Sequence, residues 1–325
     1  MRLKRSYFIN AAALVAAFPV SAADFKLSVP IECNLRTECY IQQYVDHDPS
    51  PNTSDFTCSN LTYDGHKDTD FGLRDPSLFA RGVTVVAATN GRVIGRRDGV
   101  TDKSYTDADA ERVKNMECGN GVVIQHENGW QTQYCHLKRG SVLVSKGQSV
   151  QRGDPLGQIG ISGKAAFPHL HLPVRQGSRV VDPFAPNGRL KCGGELETLW
   201  DLTPAYVSGG LLSIGFSDHD HVPTFEDLRL GTAPVTLTTN SKAIVGYAHA
   251  FGVKRNDQPM INITGPMGFS IKKSFVLEKD QAKVTRSIGK KHTQDWVRGM
   301  YQVQVQLIRN GIPTDAMEFQ KVISD

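Results

Sequence analysis

Long apolar runs and an excess of charge of one sign are both missing from most of this chain of 325 residues. After residue 23, no stretch approaches the roughly 20 apolar residues that a transmembrane helix needs, so no membrane span is expected. The 37 Lys and Arg residues nearly balance the 33 Asp and Glu residues, which leaves a net charge of +4. With 39% hydrophobic and 22% charged residues, the composition is that of a globular protein, and the length predicts two domains.

The first 23 residues have the pattern of a secretory signal peptide. Three cations, Arg2, Lys4 and Arg5, precede a short apolar run at 11–20, and small residues follow at 21–23. A buried N-terminal helix is the alternative, but helices rarely place three cations directly before their apolar run. Removal of this segment lowers the net charge from +4 to +1, which disfavours a nucleic-acid partner. Because the first cysteine is Cys33, no lipid-anchoring Cys follows the segment, and a periplasmic or cell-envelope location is expected.

Cysteine is absent after position 192, and no CxxC pair occurs, which disfavours a thiolate zinc site. The six cysteines of a secreted chain instead predict three disulfides, for which 15 connectivities exist. Cys118 and Cys135 flank a predicted hairpin, which favours a bond between them. The pairs Cys39–Cys58 and Cys33–Cys192 then follow by elimination.

Long helical periodicity is also lacking, and short β runs broken by glycine predict an all-β protein. The dipeptides Asn90-Gly91 and Asn128-Gly129 each predict a hairpin turn. The expected order is a disulfide-tied segment at 24–60, then a Gly-rich antiparallel β domain at 61–194. Short alternating runs without cysteine predict an immunoglobulin-like β-sandwich at 195–325.

The HExxH motif of helical zinc peptidases is absent, but His and Asp recur at other spacings. Even spacing on a strand places two side chains on one face, which applies to His66 with Asp70, to His169 with His171, and to Tyr134 with His136. Two His and one Asp are enough for a catalytic zinc site with an open position. A lone HxH is more often structural, and His219 with His221 and the run Asp46-His47-Asp48 are interpreted as solvated loops. The pairs named first indicate a site more strongly, because they occur together in one β-rich domain.

The motifs GHKDTD, GNGVVIQH, YCHL, KGQSVQRGDPLGQIGISG and HLHLPVR lie between residues 60 and 185. Together they resemble the M23 zinc metallopeptidases, the lysostaphin-like or LytM-like endopeptidases. The resemblance implies a small antiparallel β fold with a groove, one zinc ion per chain, and cleavage of peptide bonds in bacterial peptidoglycan. It further implies that His66, Asp70 and His171 bind zinc, and that His136 and His169 are the catalytic pair.

Two positions depart from the family pattern. Asp68 stands where the family usually has Gly, and this extra carboxylate either perturbs water activation or points outward. Pro173 removes a backbone donor after the HLH run, which a strand tolerates at an edge or a bulge. The Gly-rich hairpins also resemble lipoyl and biotinyl carrier domains, but the Lys beside Met that such domains modify is missing.

The sequence therefore predicts a secreted zinc endopeptidase that acts on peptidoglycan cross-link peptides. The alternative is a non-catalytic wall-binding or hydrolase-activating protein, and such copies typically lack one or more of the five His and Asp residues. The C-terminal domain offers no chemistry of its own. Binding of wall, binding of a protein partner and covering of the groove stay open as its role.

Overall fold

A computed structural model describes residues 25–74, 78–188, 192, 197–218, 222–224, 227 and 236–324. The predicted signal peptide at 1–23 and the second HxH pair, His219 and His221, lie outside the described residues. Helices are short in the described part, with α1 at Leu78–Arg81, α2 at Ala110–Val113 and single 3-10 turns at Asp107–Asp109, Glu127–Gly129 and Pro266–Gly268. None of these helices is long and apolar enough to cross a membrane.

Eleven short strands between residues 39 and 180 form the first part of the molecule. They are β1 (Cys39–Gln43), β2 (Thr69–Leu73), β3 (Thr84–Val86), β4 (Gly91–Arg97), β5 (Asn120–Gln125), β6 (Trp130–Leu137), β7 (Ser149–Val150), β8 (Pro155–Gln158), β9 (His169–Leu172), β10 (Val174–Gln176) and β11 (Arg179–Val180). Nine of them form an antiparallel sheet in the order β1-β2-β9-β6-β5-β4-β7, with β10 and β11 paired beside β6. Strands β3 and β8 pair separately. The predicted Gly-rich antiparallel fold is confirmed.

One of the two predicted hairpins is wrong. β5 and β6 do form a hairpin, and Asn128 at its turn adopts the left-handed conformation with φ of 53°. The strands on either side of Asn90-Gly91 do not pair with each other, because β3 pairs with β8 whereas β4 pairs with β5 and β7. The Asn90 side chain instead accepts a hydrogen bond from the Arg152 backbone N–H over 2.7 Å, where the chain passes between the two sheets.

Seven longer strands form a second part, with β12 at Gly210–Ser217, β13 at Ala243–Val253, β14 at Gln258–Thr264, β15 at Ser270–Ser274, β16 at Gln281–Lys291, β17 at Gly299–Arg309 and β18 at Ile312–Ile323. They form two antiparallel sheets, β12-β13-β16 and β15-β14-β17-β18. Buried and partly buried residues alternate along β14, as expected for a strand with one face on a core. The sheets pair as in an immunoglobulin-like sandwich, except that the fourth strand pairs with the third instead of the fifth. The predicted sandwich is confirmed.

Two hydrophobic clusters lie inside these two parts, and they meet. Phe216, Ile263 and Val303 belong to the cluster between the two sandwich sheets. Leu212 and Phe251 lie on sandwich strands, yet they pack in the cluster of the first part. Leu199 and Trp200, which the predicted boundary at residue 194 assigns to the second domain, also pack in the first cluster. The two parts are therefore packed together, and the domain boundary stays a prediction.

Three disulfides are present, and one of the three expected pairs is among them. Cys118 bonds to Cys135 across the β5–β6 hairpin, as predicted. The pairs Cys39–Cys58 and Cys33–Cys192 are wrong, because Cys33 bonds to Cys39 and Cys58 bonds to Cys192. A turn closed by a Cys39 N–H to Asn34 C=O hydrogen bond of 2.9 Å brings Cys39 back to Cys33. Because Cys33 and Cys39 bond to each other, Cys58 bonds to Cys192, which is distant in the sequence.

His249 on β13 makes the stability of the fold depend on pH. Its Nε2–H donates to the Pro223 carbonyl over 3.1 Å, and its Nδ1 lies 2.7 Å from the Thr285 hydroxyl. Burial lowers the pKa of this imidazole from 6.5 to about 4. Between these two pH values the unfolded chain binds more protons than the folded chain, so the free energy of unfolding falls as the pH falls.

We expect the free energy of unfolding of the wild type to fall by about 2 kcal/mol more than that of His249→Gln between about pH 7 and pH 5. Glutamine keeps hydrogen-bonding capacity at this position but does not titrate. Urea unfolding of both proteins with chelator present measures the difference, since metal loss is then the same in both. An equal loss of stability in the two proteins would contradict this role of His249.

Candidate metal centre

The register of two adjacent strands creates the centre of the site. Asp70 on β2 lies directly opposite His171 on β9 in the antiparallel ladder. Side chains at such a pair project from the same face of the sheet and are close neighbours. His169, two residues before His171 on the same strand, shares that face. The closeness of Asp70 to His169 and His171 is thus a direct result of strand geometry.

His136 reaches the same place through an irregularity in β6. Asn120 pairs with Leu137 and Val122 pairs with Tyr134, so β6 carries one extra residue over this interval. His136 lies in this bulge with φ of +62°, a left-handed conformation that is uncommon outside glycine. Such bulges redirect side chains near active sites. The imidazole of His136 lies 4.7 Å from that of His169 and 5.3 Å from that of His171, between ring centroids.

Asp70 lies at the middle of the cluster, with its side chain almost fully buried. One carboxylate oxygen, Oδ1, is 2.8 Å from Nδ1 of His171 and 3.8 Å from Nε2 of His169. The other, Oδ2, is 3.3 Å from Nε2 of His66. All five residues predicted from the sequence therefore meet around one carboxylate.

Backbone carbonyls fix which nitrogen of three imidazoles carries a proton. Nδ1 of His66 is 2.8 Å from the Tyr44 carbonyl, and Nδ1 of His136 is 2.8 Å from the Ser162 carbonyl. Nδ1 of His169 is likewise 2.9 Å from the carbonyl of Phe167. A carbonyl oxygen only accepts hydrogen bonds, so each Nδ1 is the donor. Each Nε2 is then left as the atom available to a metal or a proton.

His171 is held in the opposite sense by a side chain. Its Nε2 donates to Oδ2 of Asp68 over 2.8 Å, which leaves Nδ1 facing Asp70. Of the two roles considered for Asp68, pointing outward is wrong, because this side chain is buried against His171. A carboxylate on the outer nitrogen of a metal-binding imidazole orients the ring and raises its basicity.

The donor atoms fit a zinc ion. Ligand atoms of His66, Asp70 and His171 lie within 4.8 Å of one another, and the same holds for His136, His169 and His171. Nε2 of His66 is buried and makes no hydrogen bond, as expected for an atom that serves as a ligand. Two imidazole nitrogens and a carboxylate oxygen form one of the ligand sets found in catalytic zinc sites.

The charges of the cluster perturb one another strongly. Burial opposes ionisation of Asp70, but the nearby His169, His66 and His171 outweigh it and hold the pKa of this carboxyl well below its ordinary value. Burial also opposes the charge of His171, yet Asp70 and Asp68 raise its pKa to about 10. Burial lowers the pKa of His136 well below its ordinary value, and the neighbouring His169 and His171 add to this effect. Nδ1 of His171 must therefore release a proton when a metal binds.

Other sequence-predicted features fall outside this cluster. His47 pairs with Asp182 over 2.7 Å, so this residue of the Asp46-His47-Asp48 run is structural. Pro173 lies in the break between β9 and β10, where its missing N–H costs no ladder hydrogen bond. The cluster opens into a cleft of about 1060 Å³, and Phe167 and Lys283 also line it. Neither residue was predicted from the sequence. Lys283 lies far along the chain from the other site residues, which all precede residue 172, so no sequence motif links it to them.

One known protein family has a sequence model that matches this part of the molecule. Residues 77–183 match the sequence model of Peptidase family M23. About a third of the chain is therefore similar in sequence to that family. The matched range includes His136, His169 and His171 and begins after His66 and Asp70.

The curated relatives that match this chain are similar over a limited length. Peptidoglycan DD-endopeptidase ShyA of Vibrio cholerae is 40% identical over 86 residues, which is 26% of this chain and 20% of ShyA. Peptidoglycan DD-endopeptidase ShyB of the same organism is 41% identical over 69 residues, which is 21% of this chain and 16% of ShyB. A solved zinc-containing peptidase from Vibrio cholerae is 25% identical, with a TM-score of 0.33 over 48% of this chain and 39% of that chain. The chain thus spans about a fifth of the length of these curated relatives.

We expect Asp68→Asn to weaken zinc binding by about 10- to 100-fold, because the outer partner of His171 loses its charge. Competition with a chelating dye measures the dissociation constant without any need for activity. Asp64→Asn is the matched control, since this carboxylate is exposed in the same loop. Equal zinc affinity in wild type and Asp68→Asn would show that Asp68 does not support His171 as a ligand.

Proposed function

We propose that this chain is a zinc-dependent endopeptidase that hydrolyses peptide bonds in peptidoglycan cross-links. The observation that carries the proposal is the convergence of His66, Asp70 and His171 with His136 and His169, of which all but His66 line one cleft. The names of ShyA and ShyB support peptidoglycan as the substrate. Three disulfides among the described residues support an oxidising compartment such as the periplasm.

In this proposal His66, Asp70 and His171 hold the zinc ion. When bound, the ion supplies Lewis acidity that lowers the pKa of water and polarises a scissile carbonyl. The Tyr44 carbonyl orients His66 and the Asp68 carboxylate orients His171 before the ion arrives, which limits the reorganisation that binding requires.

The same proposal gives His136 and His169 the proton transfers. Each presents Nε2 to the cleft, because its Nδ1–H is fixed by a backbone carbonyl. An imidazole with a free Nε2 lone pair can take a proton from the attacking water and return it to the leaving amine. Once protonated, either ring can also donate a hydrogen bond to the oxyanion that develops on the scissile carbonyl.

Digestion of purified peptidoglycan sacculi tests the proposed function directly. We expect the zinc-loaded full chain to release fragments with new amino and carboxyl ends at the cross-links, which mass analysis identifies together with the bond cleaved. Chelation abolishes release if the metal is required, and added zinc restores it. No release by the zinc-loaded protein would sink the enzyme proposal. Stimulation of another wall hydrolase under the same conditions would instead support the regulatory alternative.

We expect His136→Ala to lower turnover by about 10²- to 10⁴-fold, the usual contribution of a general acid–base group. It should retain one zinc ion per chain, because His136 lies outside the proposed ligand set. His66→Ala should lose both zinc and turnover. His292→Ala removes an exposed imidazole in the sandwich and serves as the control. Loss of zinc in His136→Ala would mean that the second group of converging residues, His136, His169 and His171, holds the ion instead.

A further inference from the structure

The cleft around the zinc site is lined from two sides by different parts of the chain. His136, His169 and His171 come from strands of the first sheet. Residues 251–254 and 280–283, at the ends of β13 and β16, line the opposite side. We call these two segments the sandwich wall, because both strands belong to the β-sandwich.

The sandwich wall is fixed relative to the first sheet by packing. The ring of Phe251 lies 4.3 Å from that of Tyr40, and Phe251 is part of the hydrophobic cluster of the first part. Lys254 contacts the Asn60 side chain across the interface and lies 3.4 Å from Asp280. The wall is thus anchored to the first part through both of its segments.

Lys283 is the residue of the sandwich wall that reaches towards the catalytic pair. It lies opposite Phe251 in the β13–β16 ladder. Its Nζ is 3.5 Å from the centre of the Phe167 ring, a short cation–π contact. The Phe167 ring is in turn 4.9 Å from that of His169, and the Phe167 carbonyl fixes the His169 tautomer. One aromatic ring therefore separates the ammonium from a proposed catalytic imidazole.

We propose that Lys283 binds a free carboxylate of the peptide substrate, so that the sandwich selects acidic peptides next to the scissile bond. This inference rests on the proposed function, and it places a substrate contact on the sandwich wall. An ammonium is a compact charge with three N–H donors, and a carboxylate is the matching group in a peptide. Cross-link peptides carry such groups at terminal D-alanine and at diaminopimelate.

The surroundings of Lys283 suit this role. Burial lowers the pKa of its amine from 10.5 to about 8, so most of the residue is still charged at neutral pH. A partly desolvated ammonium interacts more strongly with an anion than a fully hydrated one does. Lys254 on the same wall and Lys67, Lys164 and Arg175 on the first part of the chain add further cations to the lining of the cleft.

Paired peptides test the inference without any mutation. The zinc-loaded full chain is given a cross-linked peptide with a free carboxylate beside the scissile bond, and the same peptide with that carboxylate amidated. We expect KM to rise by about 10- to 100-fold on amidation, the range for a hydrogen bond to a charged group, with kcat within a few-fold. Equal KM values for the two peptides would overturn the inference.

Variants assign the effect to Lys283. Lys283→Gln should raise KM for the carboxylate peptide and leave the amidated peptide unchanged, and Lys283→Arg should restore part of the difference. Lys290→Gln is the matched control, since this Lys is exposed on the same strand. A loss shared equally by both peptides would contradict carboxylate recognition.

A measurement of peptide binding distinguishes failure of this inference from failure of the proposed function. Calorimetry with zinc-loaded His136→Ala compares the affinity of the two peptides without turnover. If the wild type cleaves neither peptide nor sacculi, the proposed function fails, and the binding preference still decides the role of Lys283. Equal binding of both peptides overturns that role.

Discussion

The pairing of β2 with β9 is the constraint on which the site depends. Asp70 lies opposite His171 only in this register, and a slip of β2 by one residue would place Asp70 and His171 on opposite faces of the sheet. Every residue of β2 is buried, so such a slip would also force the packing on both faces of the strand to change. The packing of this strand and the geometry of the proposed zinc site are therefore stabilised by the same contacts.

A buried carboxylate among four imidazoles is costly unless each polar atom has a partner. Main-chain carbonyls supply the partner for three of the rings, and these groups persist whatever side chains surround them. His171 is different among the described residues of the cluster, because its outer nitrogen depends on the side chain of Asp68. Asp68, at the position where the resembled family usually has Gly, thus orients one of the imidazoles of this site.

The sequence could predict the parts of the site that follow from the two-residue period of a strand. His169 with His171 needs no more than that period, and Asp70 needs one neighbouring strand. The position of His136 depends on a bulge, which turns it into the cleft while Tyr134 packs in the core, so their even spacing was a poor guide. The disulfides of Cys33 and Cys58 depend on a local turn and on packing between distant parts of the chain. Assignment of the pairs by elimination took account of neither.

In the proposed recognition, the sandwich takes part in substrate binding without chemistry of its own, because it is packed on the first part of the chain. Arg74 of the first part donates to the Leu211 carbonyl over 3.2 Å and pairs with Asp315 over 3.3 Å, so polar contacts add to the packing of Phe251. A part that contributes to its neighbour's core cannot move as a tethered module without exposing apolar surface, which costs about 25 cal/mol per Å². The width of the cleft is therefore set by packing. In that proposal, the Lys283 ammonium on the sandwich wall meets each substrate at a fixed distance from the proposed catalytic pair.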